Sequence, residues 1–496
     1  MSTSENPTLQ PRTQAFLKGP QKMLIDGEWA VSENEAVFES IDPGTGKVLT
    51  HIPLAGAKDI DKTVLAAQKA FSGTWKSSPP AQRSLLMWKL ADLIERDIQI
   101  FMELETLDNG KPIGKAEYDV KSTIAHFRYY AGWATKITGS TLPSAENQLV
   151  YTKREPLGVV GLIVPWNFPL MMCAWKLAPA LACGNCCILK PAEQTSLTAL
   201  YLGKLIIEAG FPKGVVNIVT GPGDPTGEAL VRHPGIHKIS FTGSTAVGKN
   251  IMQKAAQSNL KSVSLELGGK SPNVIFADAP MDKVSKALHW TSFYNSGQEC
   301  TLGSRIYIQK EAFQQVVDGL IEETKKLQMD IGLKDPDLGP LISQQQLDRV
   351  TKAIKTGNEE GGDLVLGGER FTVPHLQNGY FLEPTIFVHN NDSLQLVQEE
   401  IFGPVVVVSA FDSFEEVLAR ANNSDYGLAA AVWTTDSSKA LRFADQMDAG
   451  TVWINGYDQF DPAVPFGGFK QSGIGKEMGE SALQLYTKEK AVWFNY

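Results

Sequence analysis

The sequence predicts an α/β protein with a doubly wound parallel sheet and a second α/β unit. Short apolar strands alternate with helical segments from residue 157 onward, and a comparable series begins after residue 268. Such alternation is typical of parallel sheets covered by helices on both faces, which bind nucleotides at the ends of their strands. No Pro- or Gly-rich linker separates the two series, so the two units are expected to pack tightly.

Strands joined by turns are predicted first, over residues 21–55, because DG at 26–27 and DPGTG at 42–46 are turn signals. The chain then becomes helical from about 58 to 136. Within this region SLLMWKLADLIERDIQIFMELETL (84–107) has apolar residues at helical spacing and is followed by NGKP, which predicts one long helix.

The first α/β series has four strand candidates with helices between them. The strands are GVVGLIV (158–164), CCILK (186–190), GVVNIV (214–219) and HKISF (237–241). The helices are KLAPALA (176–182), SLTALYLGKLIIEAG (196–210) and TGEALVRH (226–233). The second series contains a helix, VSKALHWTSFYN (284–295), and the strand candidates RIYIQ, VVVVSAF and TVWIN.

The charge balance argues against a nucleic-acid or anionic-membrane partner. The 55 acidic and 46 basic residues give a net charge of −9 and form no basic block. The apolar stretch 156–175 is long enough to resemble a membrane span, but Pro165, Asn167 and Pro169 lie within it. Because prolines break a helix in lipid, this stretch is predicted to be a buried strand, a turn and a helix start.

The cysteines indicate a reducing compartment. They stand at positions 173, 183, 186, 187 and 300, and an odd number clustered in one apolar region argues against a disulfide framework. CGNCC contains one CxxC pair, but no second pair follows, so no metal site is expected. The polar start MSTSENPTLQPRTQ lacks the charged-then-apolar pattern of a secretory leader, and a cytoplasmic protein is predicted.

Two glycine-rich loops follow predicted strands and favour a dinucleotide site. In HKISFTGSTAVGKN (237–250), Ser244 or Thr245 can cap a helix whose first N–H groups are suited to a phosphate. GSTAVGKN nearly matches a nucleotide-triphosphate P-loop, but Asn250 replaces the hydroxyl that would hold Mg²⁺. The second loop, TGPGDPTG (220–227), is close to a dinucleotide fingerprint, and the residues alone do not decide which loop holds the pyrophosphate.

Three further segments carry residues suited to acid–base and acyl chemistry. PWNFP holds Asn167 between prolines and aromatics, and a side-chain amide fixed in this way is a good oxyanion donor. LELGGK places Glu266 in a strand-like run, where burial would raise its pKa and make it a base near neutral pH. EEIFGP (399–404) contains an acid that could accept hydrogen bonds from ribose hydroxyls. A turn asparagine and an exposed strand-end glutamate are the plain structural alternatives.

Cys300 is the candidate nucleophile, in the stretch NSGQECTLGSR (295–305). A thiolate held at a helix start would be stabilised by local N–H groups, whereas an adjacent carboxylate makes the thiolate harder to form. Neighbouring side chains of an extended chain point in opposite directions. Glu299 is therefore expected to face away from the thiol. A lone cysteine also has a plain packing role as its alternative.

Seven motifs in this order resemble those of NAD(P)-dependent aldehyde dehydrogenases. They are VPWNFP, KPAEQT, FTGSTAVGK, LELGGKSP, GQEC, EEIFGPV and PFGGFKQSG, between residues 164 and 473, and the likeness covers about 21–496. QAFL…GPQKMLIDGEW and TKREPLGVVGLIVPWNFPLM are also similar to bacterial phenylacetaldehyde dehydrogenases. Glu299 departs from the family pattern, which has a small or apolar residue there. Facing inward, it would slow thiolate formation or select a polar or cationic substrate.

The resemblance implies three structural parts. These are a Rossmann-like NAD-binding domain over 1–137 and 157–267, a catalytic α/β domain over 268–468, and a small oligomerisation strand element from 138–156 and 484–496. A homotetramer or homodimer is expected from this likeness.

The resemblance also assigns roles to residues by position. Cys300 matches the nucleophile, Glu266 the general base and Asn167 the oxyanion amide. The residues that match NAD contacts are Pro165, Trp166, Lys190, Glu193, Gly243, Ser244, Gly248, Leu267, Glu400 and Phe402. The residues that match the substrate tunnel are Phe168, Trp175, Tyr294, Phe460 and Phe466.

The implied reaction is NAD-dependent oxidation of an aldehyde to its acid through a thiohemiacetal and a thioester on Cys300. Five tunnel aromatics favour an apolar or arylalkyl aldehyde such as phenylacetaldehyde. Aliphatic and betaine-type aldehydes stay open, because an aromatic cage also holds quaternary ammonium. Glu193 would accept a 2′-hydroxyl and repel a 2′-phosphate, which favours NAD over NADP. The rival hypotheses are a P-loop NTPase that uses Lys249 and a catalytically silent relative of the same fold.

Overall fold

The computed structural model describes residues 7–496, so the first six residues of the polar N-terminal segment lie outside it. The strands are β1 Met23–Ile25, β2 Glu28–Ala30, β3 Val37–Asp42, β4 Lys47–Pro53, β5 Thr141–Leu142, β6 Gln148–Pro156, β7 Val159–Ile163, β8 Cys186–Lys190, β9 Val216–Ile218, β10 Lys238–Thr242, β11 Ser262–Glu266, β12 Pro272–Ile275, β13 Arg305–Gln309, β14 Asp363–Leu366, β15 Thr385–Val388, β16 Val405–Phe411, β17 Tyr426–Gly427, β18 Ala429–Trp433, β19 Thr451–Ile454, β20 Phe469–Lys470, β21 Gly473–Ile474 and β22 Thr487–Asn495.

The helices lie between these strands. They are α1 Pro11–Leu17, α2 Ala57–Ala70, α3 Pro80–Arg96, α4 Ile98–Asn109, α5 Ile113–Trp133, α6 Pro169–Ala182, α7 Leu197–Ala209, α8 Glu228–Arg232, α9 Thr245–Ser258, α10 Met281–Phe293, α11 Phe313–Thr324, α12 Gln344–Glu359, α13 Gln395–Gln398, α14 Phe414–Asn422, α15 Ser437–Gln446 and α16 Ser481–Leu485. Across residues 7–496, no helix combines the length and the apolar character needed to cross a bilayer.

The first sheet has the strand order β2-β1-β9-β8-β7-β10-β11-β21. Strands β9, β8, β7, β10 and β11 run parallel, and their order reverses between β7 and β10. The VVGLI and CCILK strands are buried along their whole length, as expected for central parallel strands covered on both faces. Ligands of doubly wound sheets bind outside the carboxyl ends of the strands at such a reversal. The topology therefore places a ligand site at the ends of β7 and β10.

The second sheet has the order β14-β15-β16-β13-β12-β18-β19, and all its pairs are parallel except the edge pair β14–β15. The two large sheets therefore correspond to the two predicted α/β series. Strands β22, β6 and β5 form a separate three-stranded antiparallel sheet from the segments predicted to mediate oligomerisation.

The predicted single helix over 84–107 is wrong in one respect, because the structure breaks it at Asp97 into α3 and α4. The Asp97 carboxylate is buried and accepts hydrogen bonds from Arg12 Nη1 at 2.7 Å and from the Tyr201 hydroxyl at 2.9 Å. Burial raises the pKa of Asp97, but hydrogen bonds from Arg96, Arg12 and Tyr201 outweigh it and hold that pKa at about 2. These long-range partners stabilise the break, which local periodicity does not report.

Candidate active site

A cavity of about 520 Å³ brings together the three side chains predicted to carry the chemistry, Asn167, Glu266 and Cys300. Asn167 lies in the loop between β7 and α6, and Glu266 is the last residue of β11. Cys300 lies in a turn between α10 and β13. Two of the three segments thus come from the carboxyl ends of strands in the first sheet, and the thiol comes from the second series.

Cys300 does not lie at a helix start, which corrects one expectation. Before it, Asn295 and Ser296 have φ values of +47° and +55° and Gly297 has +71°, so three consecutive residues adopt the left-handed conformation. A side chain at Gly297 would collide with the Gly403 carbonyl, so only glycine fits there. This turn brings the chain sharply round before the nucleophile.

Polar side chains hold the turn in place. Gln298 donates from Nε2 to the Asn295 carbonyl at 3.1 Å and accepts from the Ile342 N–H at 2.8 Å. Ser296 Oγ donates to the Gly339 carbonyl at 2.7 Å. The glutamine of the GQ pair is therefore a support for the turn, a role that the sequence analysis did not identify.

Asn167 is buried and its amide has a defined direction. Its Nδ2 donates to the Gln298 carbonyl at 3.0 Å, which leaves the second N–H of the amide for another acceptor. The main-chain carbonyl of Asn167 in turn accepts hydrogen bonds from Lys111 Nζ at 2.9 Å and from Asn295 Nδ2 at 3.1 Å. These hydrogen bonds anchor the Asn167 amide to the turn that carries the candidate nucleophile.

Glu266 is buried, and its Oε2 has no hydrogen-bond donor among the described residues. Burial raises the pKa of Glu266 well above its usual value, and the negative charge of Glu477 raises it further. Lys176, which forms a buried ion pair with Glu477, and Lys476 oppose this rise. A carboxyl group with a raised pKa in the wall of a cavity is suited to act as a general base.

The Cys300 thiol is partly exposed, unlike the other four cysteines, which are buried. The loss of water around the sulfur raises the pKa of Cys300 well above the usual value, and the carboxyl groups of Glu299, Glu400 and Glu266 raise it further. Its access to the cavity distinguishes it as the one cysteine in residues 7–496 placed to meet a bound molecule.

The expectation that Glu299 faces away from the pocket is wrong. Its side chain lines the cavity and the residue is only 6% exposed. The alternation of side chains holds for an extended backbone, whereas the left-handed turn from Asn295 to Gly297 redirects the chain just before this position. Burial and the nearby Asp458 carboxyl raise the pKa of Glu299 well above its usual value.

Seven of the ten residues predicted to contact the cofactor line the same cavity. They are Pro165, Trp166, Gly243, Ser244, Leu267, Glu400 and Phe402. Ser244 is the N-cap of α9 and its Oγ accepts from the Val247 N–H, so the first turn of this helix begins at the strand reversal. Of the two glycine loops, the one after β10 thus lies at the reversal, where a dinucleotide phosphate would bind.

The remaining three predicted cofactor residues lie outside the cavity wall. A side chain at Gly248 would collide with Leu267, so this glycine lets α9 pack closely on the end of β11. Lys190 ends β8, and its Nζ donates to the Gly221 carbonyl at 2.7 Å. Burial lowers the pKa of Lys190 to about 8, partly offset by Glu193. Lys190 and Glu193 thus lie at or just after the carboxyl end of β8, the edge of the sheet where nucleotides bind in this architecture.

The cavity wall also carries an acid and two aromatic rings. The Glu400 Oε1 accepts from the Gly269 N–H at 3.2 Å, and burial raises the pKa of Glu400 to about 7. The rings of Trp166 and Phe402 meet edge to face with centroids 5.1 Å apart. These groups, with Ser244 and the helix start, fit a dinucleotide.

Lys249, the residue that would serve a P-loop, is directed elsewhere. Its Nζ donates to the Gln471 side chain at 2.6 Å. A P-loop lysine must turn back toward the phosphates, so this contact argues against the NTPase hypothesis.

All five predicted tunnel aromatics line the cavity, and most contact one another. Trp175 meets Phe466 with centroids 5.4 Å apart and Phe460 at 6.1 Å, while Phe168 stacks on Tyr294 at 6.2 Å. The structure adds wall residues that the sequence analysis missed, namely Lys115, Tyr118, Met171, Met172, Trp290, Thr301, Gln346, Arg349, Leu428 and Asp458. Met171 ends the quoted run TKREPLGVVGLIVPWNFPLM and Thr301 directly follows GQEC, whereas most of the others lie in segments without a quoted motif.

Comparison with known proteins agrees with this arrangement. The model of the aldehyde dehydrogenase family matches residues 29–492. Retinal dehydrogenase 2 of Homo sapiens is 48% identical over 95% of this chain and 91% of its own length. The structure of an NAD⁺ complex of aldehyde dehydrogenase from Bacillus cereus superposes with a TM-score of 0.97 at 47% identity, covering 99% and 100% of the two chains. Betaine aldehyde dehydrogenase of Staphylococcus aureus with NAD⁺ superposes with a TM-score of 0.95 at 36% identity, covering 98% and 97%.

Proposed function

The chain belongs to the aldehyde dehydrogenase family and is an NAD-dependent enzyme, and from this premise we propose how its own residues oxidise an aldehyde. The observation that carries the proposal is the meeting of Cys300, Asn167 and Glu266 in one cavity. A thiol, a fixed amide and a base with a raised pKa are the three groups that oxidation through a thioester requires.

Acylation begins when the Cys300 thiolate attacks the aldehyde carbon to form a thiohemiacetal. The free N–H of the Asn167 amide and the backbone N–H of Cys300 meet the negative oxygen of this tetrahedral centre. Bound NAD supplies the hydride acceptor. The chain's own contribution is to hold the carbonyl against the thiol and to stabilise the charge that develops on oxygen.

Deacylation follows at the same place. Glu266 lines the cavity and its Oε2 lacks a donor in the described structure, so this carboxylate is proposed to take a proton from water as that water attacks the thioester carbon. The carbon–sulfur bond then breaks, the acid leaves and Cys300 regains its thiol or thiolate. Because the pKa of Glu266 is raised, its basic form appears at a higher pH than that of an ordinary glutamate.

Removal of the Asn167 amide is expected to slow the acylation half. Asn167→Ala and Asn167→Asp should each lower kcat/KM by about 10²- to 10³-fold, since neither can donate to the oxyanion at neutral pH. Single-turnover NADH formation measures this step. If the two variants lose activity equally and Asn167→Asp keeps the melting temperature of the parent, the loss comes from the missing hydrogen-bond donor and not from poorer packing. Full activity in Asn167→Asp would contradict the oxyanion role.

For the substrate, we propose an apolar or arylalkyl aldehyde, with phenylacetaldehyde as the representative. Five aromatic rings line the cavity that contains Cys300, and contacts between aromatic rings contribute about 0.5–1.5 kcal/mol to binding beyond burial. The similarity to retinal dehydrogenase 2 supports a large apolar aldehyde as well. A panel of phenylacetaldehyde, hexanal and acetaldehyde with NAD and NADP, ranked by kcat/KM, tests the proposal. A preference for acetaldehyde would overturn it, and Glu193 is expected to favour NAD.

A betaine-type aldehyde is the second candidate. Glu299 and Asp458 line the same cavity as the aromatic rings, and carboxyl groups attract the positive charge of such a substrate. The Staphylococcus aureus neighbour is a betaine aldehyde dehydrogenase. Including betaine aldehyde in the panel decides between the two candidates.

We also propose that the chain forms a homotetramer or homodimer through residues 138–156 and 484–496. We propose that it is cytoplasmic, and that its NAD-binding domain (1–137 and 157–267) is followed by a catalytic domain (268–468). In the described structure β22 pairs on one side only, and it exposes Trp493 by 65% and Phe494 by 56%.

Charges in place of these rings are expected to dissociate the assembly. The double variant Trp493→Lys/Phe494→Lys should have a smaller mass by light scattering, because a buried apolar contact becomes a charged one. Leu260→Lys is the matched control, since Leu260 is 84% exposed but lies outside these segments. An unchanged mass in the double variant would contradict the role of the segments.

A further inference from the structure

The turn between α4 and α5 reaches the loop that carries Asn167. Helix α4 ends in the sequence NGKP, in which Gly110 adopts the left-handed conformation with a φ of +91°. A side chain at Gly110 would collide with Pro340, so this turn requires glycine. The side chain of Lys111, the next residue, is only 1% exposed. The turn therefore carries a lysine from the end of a helix into the interior of the protein.

Lys111 and a neighbour hold the main chain of the Asn167 loop. Lys111 Nζ donates to the main-chain carbonyl of Asn167 at 2.9 Å and lies 4.4 Å from the centroid of the Phe168 ring. Asn109, two residues earlier, donates from Nδ2 to the Trp166 carbonyl at 2.8 Å. One turn therefore holds the two peptide groups that flank the α-carbon of Asn167.

Two buried carboxyl groups direct the ammonium group of Lys111. Asp119 of α5 forms an ion pair with it, and Oε1 of Glu105 in α4 lies 3.5 Å from Nζ. Both carboxyl side chains are fully buried. Because a buried charge is costly unless it is paired, the ammonium group is confined between these two carboxyl groups and the Asn167 carbonyl.

The position of the main chain decides where the Asn167 amide points. Its Nδ2 already gives one N–H to the Gln298 carbonyl at 3.0 Å, and the other must reach the substrate oxygen at about 2.7–3.1 Å. A misplacement of about 1 Å can cost about 10²-fold in rate. The contact from Lys111 acts on this main chain and not on the amide itself, so it can fix the amide without touching the substrate.

We propose that Lys111, oriented by Glu105 and Asp119, is a positioning residue that sets the direction of the Asn167 amide and thereby the rate of acylation. This inference rests on the proposed oxyanion role of Asn167. Across residues 7–496, the wall of the cavity does not include Lys111. Its effect is therefore expected in the rate of the chemical step at saturating aldehyde, and not in direct contacts with the substrate.

Removal of the ammonium group is expected to slow acylation. Lys111→Met keeps an unbranched side chain and removes the charge and the hydrogen bond to the Asn167 carbonyl. Single-turnover NADH formation at saturating aldehyde should fall by about 10- to 100-fold, because the amide is still present but no longer held in place. An acylation rate equal to that of the parent would overturn the proposal.

A double-mutant cycle with Asn167→Ala shows whether Lys111 acts through the amide. Once the amide is absent, the ammonium group has no donor to position, so Lys111→Met should cause no further loss in the Asn167→Ala enzyme. A lysine that only stabilises the fold would lower the acylation rate by the same factor in both backgrounds. Equal factors in the two backgrounds therefore overturn the proposal.

A variant without charges separates misfolding from lost positioning. Lys111→Met leaves two carboxyl groups buried without a cation, which is destabilising. The triple variant Glu105→Gln/Lys111→Met/Asp119→Asn removes all three charges and is expected to fold. It should show the same loss of acylation rate in the parent background and none beside Asn167→Ala. Acylation at the parent rate in this variant would overturn the proposal.

Lys261→Met is the matched control. Lys261 is also buried and its Nζ donates to the His233 carbonyl at 2.8 Å, but it precedes β11, whereas Glu266 ends that strand. This variant should lose stability and keep its acylation rate, and a loss equal to that of Lys111→Met would overturn the proposal. Full acylation in Asn167→Ala overturns the proposed oxyanion role, whereas slow Asn167→Ala with normal Lys111→Met overturns this inference alone.

Discussion

Cys300→Ala is expected to abolish NADH formation from every aldehyde, with a loss of kcat of at least about 10⁴-fold, because no other group in the cavity can form the thioester. NAD binding and the melting temperature should be nearly unchanged, since the substitution removes one sulfur atom of a partly exposed side chain at the edge of the core. NADH absorbance and cofactor titration measure the two effects.

The buried cysteines supply the control for this result. Cys183→Ala removes a thiol that lies in the core and reaches the Leu483 carbonyl rather than the cavity. This variant should lose some stability, about 1 kcal/mol for a small cavity, but keep its turnover. Mass spectrometry of enzyme quenched during turnover should locate the acyl group on Cys300. An adduct on another residue, or turnover by Cys300→Ala, would refute the mechanism.

Glu266→Gln is expected to separate the two halves of the reaction. Acylation does not use this carboxylate, so a burst of NADH close to one equivalent per site should remain. Steady turnover should fall by about 10²- to 10⁴-fold, the usual contribution of a general base. Stopped-flow absorbance resolves the burst from the slow phase, and steady turnover at the wild-type rate would contradict the role of Glu266.

The pH dependence gives an independent check on Glu266. Its raised pKa means that the carboxyl group is protonated, and cannot act as a base, at low pH. Wild-type deacylation should therefore increase with pH at values above the usual range of a glutamate, and level off once the carboxylate is formed. In Glu266→Gln that increase should be absent from the slow phase. The burst rate should still rise with pH in both proteins, because the Cys300 pKa is also raised.

Glu299→Gln serves as a matched comparison for Glu266→Gln, because both replace a buried glutamate beside the thiol. The two substitutions should affect different steps: Glu299→Gln should change the pH dependence of the burst, and Glu266→Gln that of deacylation. Loss of the Glu299 charge lowers the Cys300 pKa, so the burst phase should move to lower pH, while deacylation keeps its wild-type pH dependence.

The fold was predicted correctly from local patterns in the sequence, whereas the family was identified by the resemblance of seven motifs. Buried parallel strands such as β7 and β8 consist of unbroken apolar runs, and Ser244 marks the start of α9 as an N-cap. The aldehyde dehydrogenase family, the NAD dependence and the α/β fold are all confirmed by the comparisons. The finer likeness to phenylacetaldehyde dehydrogenases and the domain limits stay predictions.

What the sequence determined by itself is thus the central strands of the first series and the capped helix start at Ser244, because each depends on neighbours a few residues away. The roles of Cys300, Asn167 and Glu266 stay predictions that the family resemblance supplies. Only the tertiary structure decided that Asp97 breaks a helix, that Glu299 turns into the pocket and that Asp458 lines the same cavity. The break is held by Arg12 and Tyr201, and the direction of Glu299 follows from a left-handed turn held by contacts with distant residues. Side-chain direction in such a turn depends on partners far along the chain, and periodicity carries no information about them.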